Sequence, residues 1–367
     1  MADLSVTVKV ASAAFAAGIA LGAIAQHTNF CTMGALSDRV FMNDSRRLRA
    51  WFLAIAVAML GTQLLVGTGT LDLGKAIYLT PNLGWAGAIL GGLMFGYGMT
   101  MAGGCGNKTL VRLGGGNLKS LVVVLVMGVT AYMTLRGLFA LGRVEIENAT
   151  TLNLAKMGLA SQGMPEMIAK ASGMAIGTAR ALLTVILAGG VLIWCFKDAA
   201  FRGSPADLAG GLLIGLLIPA GWAITGILGF DDFEPVAVAS FTFVAPTAES
   251  LQYLMTFTGA SINFGIAAVG GVIVGAFLAA KAKGSFHLES FTDANDLLRH
   301  LVGATLMGVG GVLAMGCTFG QGITGLSTLA LGSLIALVSI VVGGLWGLKA
   351  LEEGSVTGGL KALLSRA

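Results

Sequence analysis

Apolar residues run together long enough to cross about 30 Å of hydrocarbon at roughly 10–29, 50–68, 85–102, 119–141, 176–196, 207–228, 262–281, 300–316 and 331–349. The pattern predicts nine membrane-spanning helices. Several runs are short or interrupted by glycine, which is where broken or re-entrant helices occur in transporters. Two interruptions are alike: Ala102-Gly103-Gly104-Cys105-Gly106-Asn107-Lys108 and Ala314-Met315-Gly316-Cys317-Thr318-Phe319-Gly320-Gln321-Gly322. In each, a glycine-loosened apolar segment meets a cysteine, and then a polar, glycine-rich run that cannot continue as an ordinary span. The first apolar run ends in Ala23-Ile24-Ala25, similar to a signal-peptidase site, but one lysine and an aspartate precede it, so a retained span is expected.

The likeness of the two interruptions extends into a repeat. Gly96, Gly98, Ala102, Gly104 and Cys105 match Gly308, Gly310, Ala314, Gly316 and Cys317 at a constant offset of 212, and Ser120-Leu121 matches Ser333-Leu334 after a one-residue slip. Earlier in each half, Phe30-Cys31-Thr32-Met33-Gly34 aligns with Trp222-Ala223-Ile224-Thr225-Gly226. The chain reads as a single membrane domain, 1–367, with a first half 1–197 and a second half 207–367. The expected fold is an all-α polytopic bundle. The third and eighth spans run in opposite directions, so the halves are expected to be inverted copies whose irregular segments, near residues 31, 105, 223 and 317, enter from opposite faces and meet at the midplane.

Composition narrows the class. Hydrophobic residues make up 56% of the chain and charged residues 11%, against about 25% charged in a soluble domain; mean hydropathy is +0.86. The 56 glycines fit close helix approach in lipid, with small-xxx-small pairs at Gly18/Gly22, Gly87/Gly91, Gly92/Gly96, Gly211/Gly215, Gly271/Gly275 and Gly343/Gly347. Charge sets an orientation. With nine spans, fifteen basic residues (Arg39, Arg46, Arg47, Arg49, Lys108, Arg112, Lys119, Lys197, Arg202, Lys281, Lys283, Arg299, Lys349, Lys361 and Arg366) fall on one side, and Lys9, Lys75, Arg143, Lys156 and Lys170 on the other. The positive-inside rule then places the N-terminus outside and the C-terminus in the cytoplasm. The outer face also carries Asp231, Asp232 and Glu234. No nucleic-acid partner is expected.

Four cysteines, at 31, 105, 195 and 317, are too widely spaced for a CxxC pair, a zinc knuckle or an iron–sulfur run, so no metal or cofactor is expected. A thiol is a weak donor and a soft acceptor in one small group, which suits a narrow point in a solute path. Cys31, Cys105 and Cys317 sit on the irregular segments beside groups fitted to the same work: Asn29 and Thr32, Asn107 and Lys108, Thr318 and Gln321. Exposed amides of the glycine runs 103–106 and 320–322 add donors. Taken singly, each cysteine is explained by packing in a buried helix; the repeat-equivalent placement next to glycine favours a functional line. Cys195, inside the apolar run Val191-Leu192-Ile193-Trp194-Cys195-Phe196, reads as packing alone.

Ionisable residues within a membrane are functional candidates. Lys108, three residues beyond Cys105, is placed to attract an anion, with snorkelling as the competing explanation. Arg136 and Arg180 near span ends read as snorkelling, His27 as interfacial, and Glu249 as an anchor for a short interfacial helix. Gly104-Cys105-Gly106-Asn107-Lys108-Thr109 is not a phosphate loop, since Asn107 stands where glycine is needed and no strand precedes it.

The Asn29-Phe30-Cys31 segment, the glycine-rich run to Cys105, the Trp222-Ala223-Ile224-Thr225-Gly226 block, the Phe241-to-Glu249 segment and Gly316-Cys317-Thr318 together resemble the YeeE/YedE family of bacterial sulfur transporters. The resemblance covers nearly the whole chain. It implies an hourglass-like bundle of inverted halves in the bacterial inner membrane. It also implies uptake of thiosulfate along a line of thiols, at positions matching Cys31, Cys105 and Cys317, by transient hydrogen bonds to the solute sulfur. The expected path adds Thr32, Asn107, Lys108, Trp222, Thr225, Thr318 and Gln321. Relatives are associated with other sulfur or selenium compounds, and some with a small sulfur-carrier protein, fused or separate. The chain ends about 18 residues beyond its last apolar run, so a fused carrier is not expected and a separate cytoplasmic sulfur-carrier protein stays open as a partner. Two rivals stand beside transport: a membrane thiol enzyme passing through a persulfide or disulfide, and a scaffold for a sulfur-relay partner.

Overall fold

Each apolar run folds as a helix because no other open structure satisfies its backbone within a membrane. The computed structural model describes residues 5–231 and 236–365; Asp232 and Glu234 of the acidic group, and Arg366, lie outside the described residues. The chain opens with α1 (Val6–Thr28), α2 (Thr32–Phe41) and α3 (Arg46–Gly67), followed by α4 (Trp85–Met101), α5 (Gly106–Gly114) and α6 (Leu118–Arg136). A middle section holds α7 (Ala140–Thr150), α8 (Met164–Ser172), α9 (Ile176–Phe196) and α10 (Ala199–Arg202). The remainder is α11 (Pro205–Ala223), α12 (Val244–Met255), α13 (Phe264–Ala282), α14 (Ala294–Leu313), α15 (Leu331–Glu353) and α16 (Val356–Leu364). Two short antiparallel strands, β1 (Asn82–Leu83) and β2 (Leu152–Asn153), tie the loop before α4 to the middle section.

Among the described residues nine segments are long and apolar enough to span: Val6–Phe41, Arg46–Gly67, Trp85–Gly114, Leu118–Arg136, Ile176–Phe196, Pro205–Leu228, Phe264–Ala282, Ala294–Leu313 and Leu331–Glu353. They correspond one for one to the nine expected runs. The first and third are broken helices, α1 with α2 and α4 with α5, and the sequence runs had ended at the breaks. The protein is a multi-pass membrane protein. The face bearing the 39–49 and 108–119 basic residues is termed the basic face, and the opposite one the far face.

All six small-xxx-small pairs lie at helix contacts. Gly18 and Gly22 of α1 pack on Ala268, Gly271 and Val272 of α13, while Gly275 meets the Ile19 carbonyl. Gly211 and Gly215 of α11 pack on Ala50 and Val57 of α3. At the centre α4 lies antiparallel to α14, with Gly87 against Leu313 and Gly98 against Gly303, and parallel to α15, with Gly92 against Ala336 and Thr100 against Gly347. Partners therefore exchange between the chain's two parts: α1 with α13 and α3 with α11, α4 with α15 and α6 with α14.

The backbone breaks share one geometry. Asn29 (φ 55°), Gly103 (φ 71°) and Met315 (φ 54°) are left-handed, and each stands two residues before a cysteine, at 31, 105 and 317. The offset of 212 thus carries from sequence into backbone conformation. Around residue 223 the structure differs from expectation. Helix α11 continues through Trp222 and Ala223 into a π-helical turn, Ile224–Leu228. Pro219 stands inside α11, ahead of this turn, and the apolar Ile224, Ile227 and Leu228 suit a helical continuation. The irregular run that enters the bundle is instead 236–243, and Phe243 heads α12 as Cys31 heads α2. Thr225 fastens that run: its hydroxyl donates to the Ala239 carbonyl (2.6 Å) and accepts from the Ala239 amide (3.1 Å).

Gly275→Leu forces a side chain into the α1 backbone and should cost at least about 1–3 kcal/mol, read as a lowered melting temperature in detergent. Gly189→Leu, whose Cβ meets nothing within 4 Å, should leave it close to wild type. Thr225→Val removes both bonds to residue 239 and should cost about 1–3 kcal/mol, with faster amide exchange at Ala239.

Candidate functional site

A break inside a membrane bundle frees carbonyls and amides that must find partners, and at the first two breaks the basic residues supply them. Arg47 donates to the Asn29 carbonyl (2.9 Å) and, through its other terminal nitrogen, to Asp38 (2.9 Å). Arg112 donates to the Gly103 carbonyl (2.9 Å). Lys108 is buried and donates to the Asn29 side-chain oxygen (2.8 Å). At the third break Gln321 plays the corresponding part, its amide donating to the Ala314 carbonyl (2.5 Å). Lys108 is therefore both a cation at the basic-face mouth and a strut between two breaks.

Each cysteine stands at the head of the turn that resumes after its break. The Gly34 amide donates to Cys31 Sγ (3.4 Å) and the Gly320 amide to Cys317 Sγ (3.3 Å). Cys105 heads α5 with the Lys108 amide beside its sulfur, outside good hydrogen-bond geometry. All three thiols are buried and unoxidised. The Cys31 and Cys105 thiols lie near one another and the Thr318 hydroxyl faces the Cys105 sulfur, with no well-aligned hydrogen bond in either case. Thr318 follows Cys317 in the chain, so the segment after the third break comes up beside Cys105. Beyond Cys317 comes the Thr242 hydroxyl. Phe243 and Phe319, ring centroids 5.2 Å apart and nearly perpendicular, wall this end.

Among the buried polar atoms without a partner are Asn107 Oδ1, Thr318 Oγ1 and Gln321 Oε1, on the segments that follow Cys105 and Cys317. Native structures leave few such groups unpaired. Other expected site residues stand back. Thr32 is buried in the first turn of α2. Trp222 is fully buried, its indole N–H donating to Ser327 Oγ (3.2 Å), and with Thr225 it supports the site from behind. Cys195 lies apart, its thiol donating to the Arg49 carbonyl (3.4 Å). His27 and Arg136 are exposed; Arg180 lines a separate cavity with Asp72 and Glu166; Glu249 accepts from Asn263 (2.8 Å) at the start of α13.

Access differs between the faces. On the far face a cavity of about 680 Å³ reaches Thr242 and Gly316, with Thr80, Asn82, Arg143 and Asn148 on its walls. Arg143 is spent within it, donating to Glu147 (2.7 Å) and to the Thr134 carbonyl (3.0 Å). At the basic face Cys31 lines a crevice of about 10 Å³ shared with Arg47 and Asp207.

Tyr78 and Thr242 were not singled out from the sequence. Tyr78 sits in a 3₁₀ turn, Ile77–Leu79, of the loop before α4, and is buried with its ring edge-on to Trp222 (6.3 Å). Its hydroxyl neighbours that of Thr242. Burial pushes the phenol's pKa up, so it stays a proton donor. No local signal marks Tyr78, since its loop also carries Thr70, Asp72, Lys75 and Thr80.

A family model described as "Sulphur transport" matches residues 27–346. The chain is similar to the thiosulfate transporter TsuA of Escherichia coli K12, 27% identical over 342 residues that cover 89% of this chain and 90% of that one. It is similar to TsuA of Spirochaeta thermophila at 25% over 346 residues, 89% and 94% of the two chains. A probable transporter of Escherichia coli K12, YedE, is 28% identical over 97 residues, 26% of this chain and 22% of its own. These names are of transporters, not enzymes. With the family match running from before Cys31 to beyond Cys317, this chain belongs to the sulphur transport family.

Proposed function

We propose that the protein takes up thiosulfate across the bacterial inner membrane, from the far-face cavity past Cys317, Cys105 and Cys31 to the cytoplasm. The observation that carries this reading is the placement of the thiols: three buried cysteines, each two residues after a left-handed break, with Thr318 Oγ1 and Asn107 Oδ1 unpaired on the segments that follow. The names of two relatives that match along nearly the whole chain, both thiosulfate transporters, support the ion. Fifteen basic residues on one side against five on the other support a cytoplasmic basic face, with the N-terminus outside and the C-terminus inside.

The physical logic is differential contact. A terminal sulfur is large, soft and weakly hydrated, so thiols replace its water at lower cost than they replace the shell of a hard oxyanion. Several weak stations in series let the ion leave as readily as it enters, and no bond needs to form or break. Sulfate lacks the soft end and is a poor substrate on this account. The exchanged helix partners and the shared offset of 212 support halves that are inverted copies, with Phe243 in the place that Cys31 holds in the first half. At the basic face, a separate sulfur-carrier protein is the partner class this reading accommodates.

Uptake of labelled thiosulfate into proteoliposomes tests it. Cys31→Ala, Cys105→Ala and Cys317→Ala should each lower uptake on the order of tenfold or more, the worth of a hydrogen bond to a charged group, while Cys195→Ala stays within about twofold because its thiol lies apart from the other three, on the Arg49 carbonyl. Wild-type uptake in all four would refute the thiol path. Lys108→Met should raise KM by on the order of tenfold and flatten the dependence of uptake on ionic strength; an unchanged KM would assign Lys108 to the strut alone.

A further inference from the structure

An open groove of about 540 Å³ lies on the outer surface of the bundle, between the end of α1, the start of α11 and the end of α13. Gly116 packs on the His287 carbonyl just beyond α13, and Gly211 of α11 on Ala50 near the start of α3. The groove therefore lies at the basic face, toward the leaflet on that side. Alanines from all three helices, Ala23, Ala209 and Ala279, leave the space. Its polar side chains are His27, Thr28 and Lys283. Thr28 is satisfied, its hydroxyl donating to the Ile24 carbonyl (2.8 Å). Among the described residues, neither the exposed His27 ring nor the exposed Lys283 ammonium has a hydrogen-bond or ion-pair partner, and no carboxylate lines the groove. Nearby charges are committed elsewhere. The Lys281 ammonium sits over the Phe286 ring (4.4 Å), and Asp207 accepts from Ser204 (2.6 Å) and lines the Cys31 crevice.

We propose that this groove binds an anionic phospholipid of the phosphatidylglycerol class, with an acyl chain against the alanines and the phosphodiester on Lys283 and His27. An unpaired cation at a span end beside an apolar groove matches such a lipid at both of its ends. A zwitterionic lipid brings its own ammonium toward Lys283 and matches the apolar part alone. Thr28 connects the lipid to the interior. It lines both this groove and the Cys31 crevice, and Asn29, the left-handed residue of the first break, follows it in the chain. A bound acyl chain therefore braces the end of α1 where the first break begins. The site requires no ion to cross, so it stands apart from the thiol path.

Native mass spectrometry of the full chain in detergent, titrated with phosphatidylglycerol or phosphatidylcholine, tests the site without a transport readout. The wild type should bind one phosphatidylglycerol about tenfold more tightly than phosphatidylcholine, the worth of a hydrogen bond to a charged group. Lys283→Glu should abolish that preference. Ala209→Trp fills the groove, leaves the charges in place and should weaken both lipids. Lys197→Glu makes the same charge change at the end of α9, on the same face, and should bind as wild type. Equal binding of the two lipids, equal losses in Lys197→Glu and Lys283→Glu, or wild-type binding in Ala209→Trp would overturn the site. Amide exchange at residues 30–34 reads the brace: phosphatidylglycerol should slow it in the wild type and not in Lys283→Glu. Exchange that the lipid leaves unchanged in the wild type would overturn the brace.

Discussion

A helix that stops inside a membrane bundle must hand its freed backbone groups to partners within the protein, and this molecule meets that demand at three places in nearly the same way. A left-handed residue, Asn29, Gly103 or Met315, turns the chain, and two residues later a cysteine begins the next turn. Arg47, Arg112 and Gln321 take carbonyls at or beside the turns. The sulfurs of Cys31 and Cys317 take an amide three residues on. A cysteine here is therefore part of what makes the break tolerable, and its direction is set by the backbone. Sulfur is also a weak acceptor, so a thiol in a capping position keeps the capacity to exchange its contact for a passing solute.

The scaffold and the path make opposite demands. Glycines bring α1 against α13 and α4 against both α14 and α15 until backbone meets backbone, which leaves little freedom at the centre. Within the bundle, irregular backbone occurs in short runs at the three cysteines and at 236–243. Access is uneven as a result. The far face offers a broad cavity, whereas at the basic face Arg47 and Lys108 make charge-assisted bonds to Asn29, next to Cys31. Charge-assisted bonds are the stronger kind, and here they tie the first break to α3 and α5.

Much of this was legible in sequence because hydropathy over a bilayer's thickness is a strong signal. The nine runs became nine spanning segments, and the glycine clusters before Cys105 and Cys317 marked real breaks. Cys195 also read correctly as a packed thiol. The block at 222–226 misled: its likeness to residues 30–34 suggested an irregular segment, but its apolar side chains keep it helical, and the inward run lies at 236–243. Glycine alone does not separate a break from a π turn. Lys108 was legible as a cation near Cys105 but not as the partner of Asn29, since 79 residues separate them. Tyr78 and Thr242 escaped notice because nothing local distinguishes a loop side chain that tertiary packing carries to the path.

The central claim is that the soft end of the ion touches thiols in turn. Selenosulfate carries selenium at that end, so anomalous diffraction from crystals of the wild-type protein soaked with it locates the atom directly. The account predicts selenium within about 4 Å of Cys317 or Cys105 Sγ, the reach of a weak contact to sulfur. Selenium ordered only at positions that touch none of Cys31, Cys105 and Cys317 would contradict it.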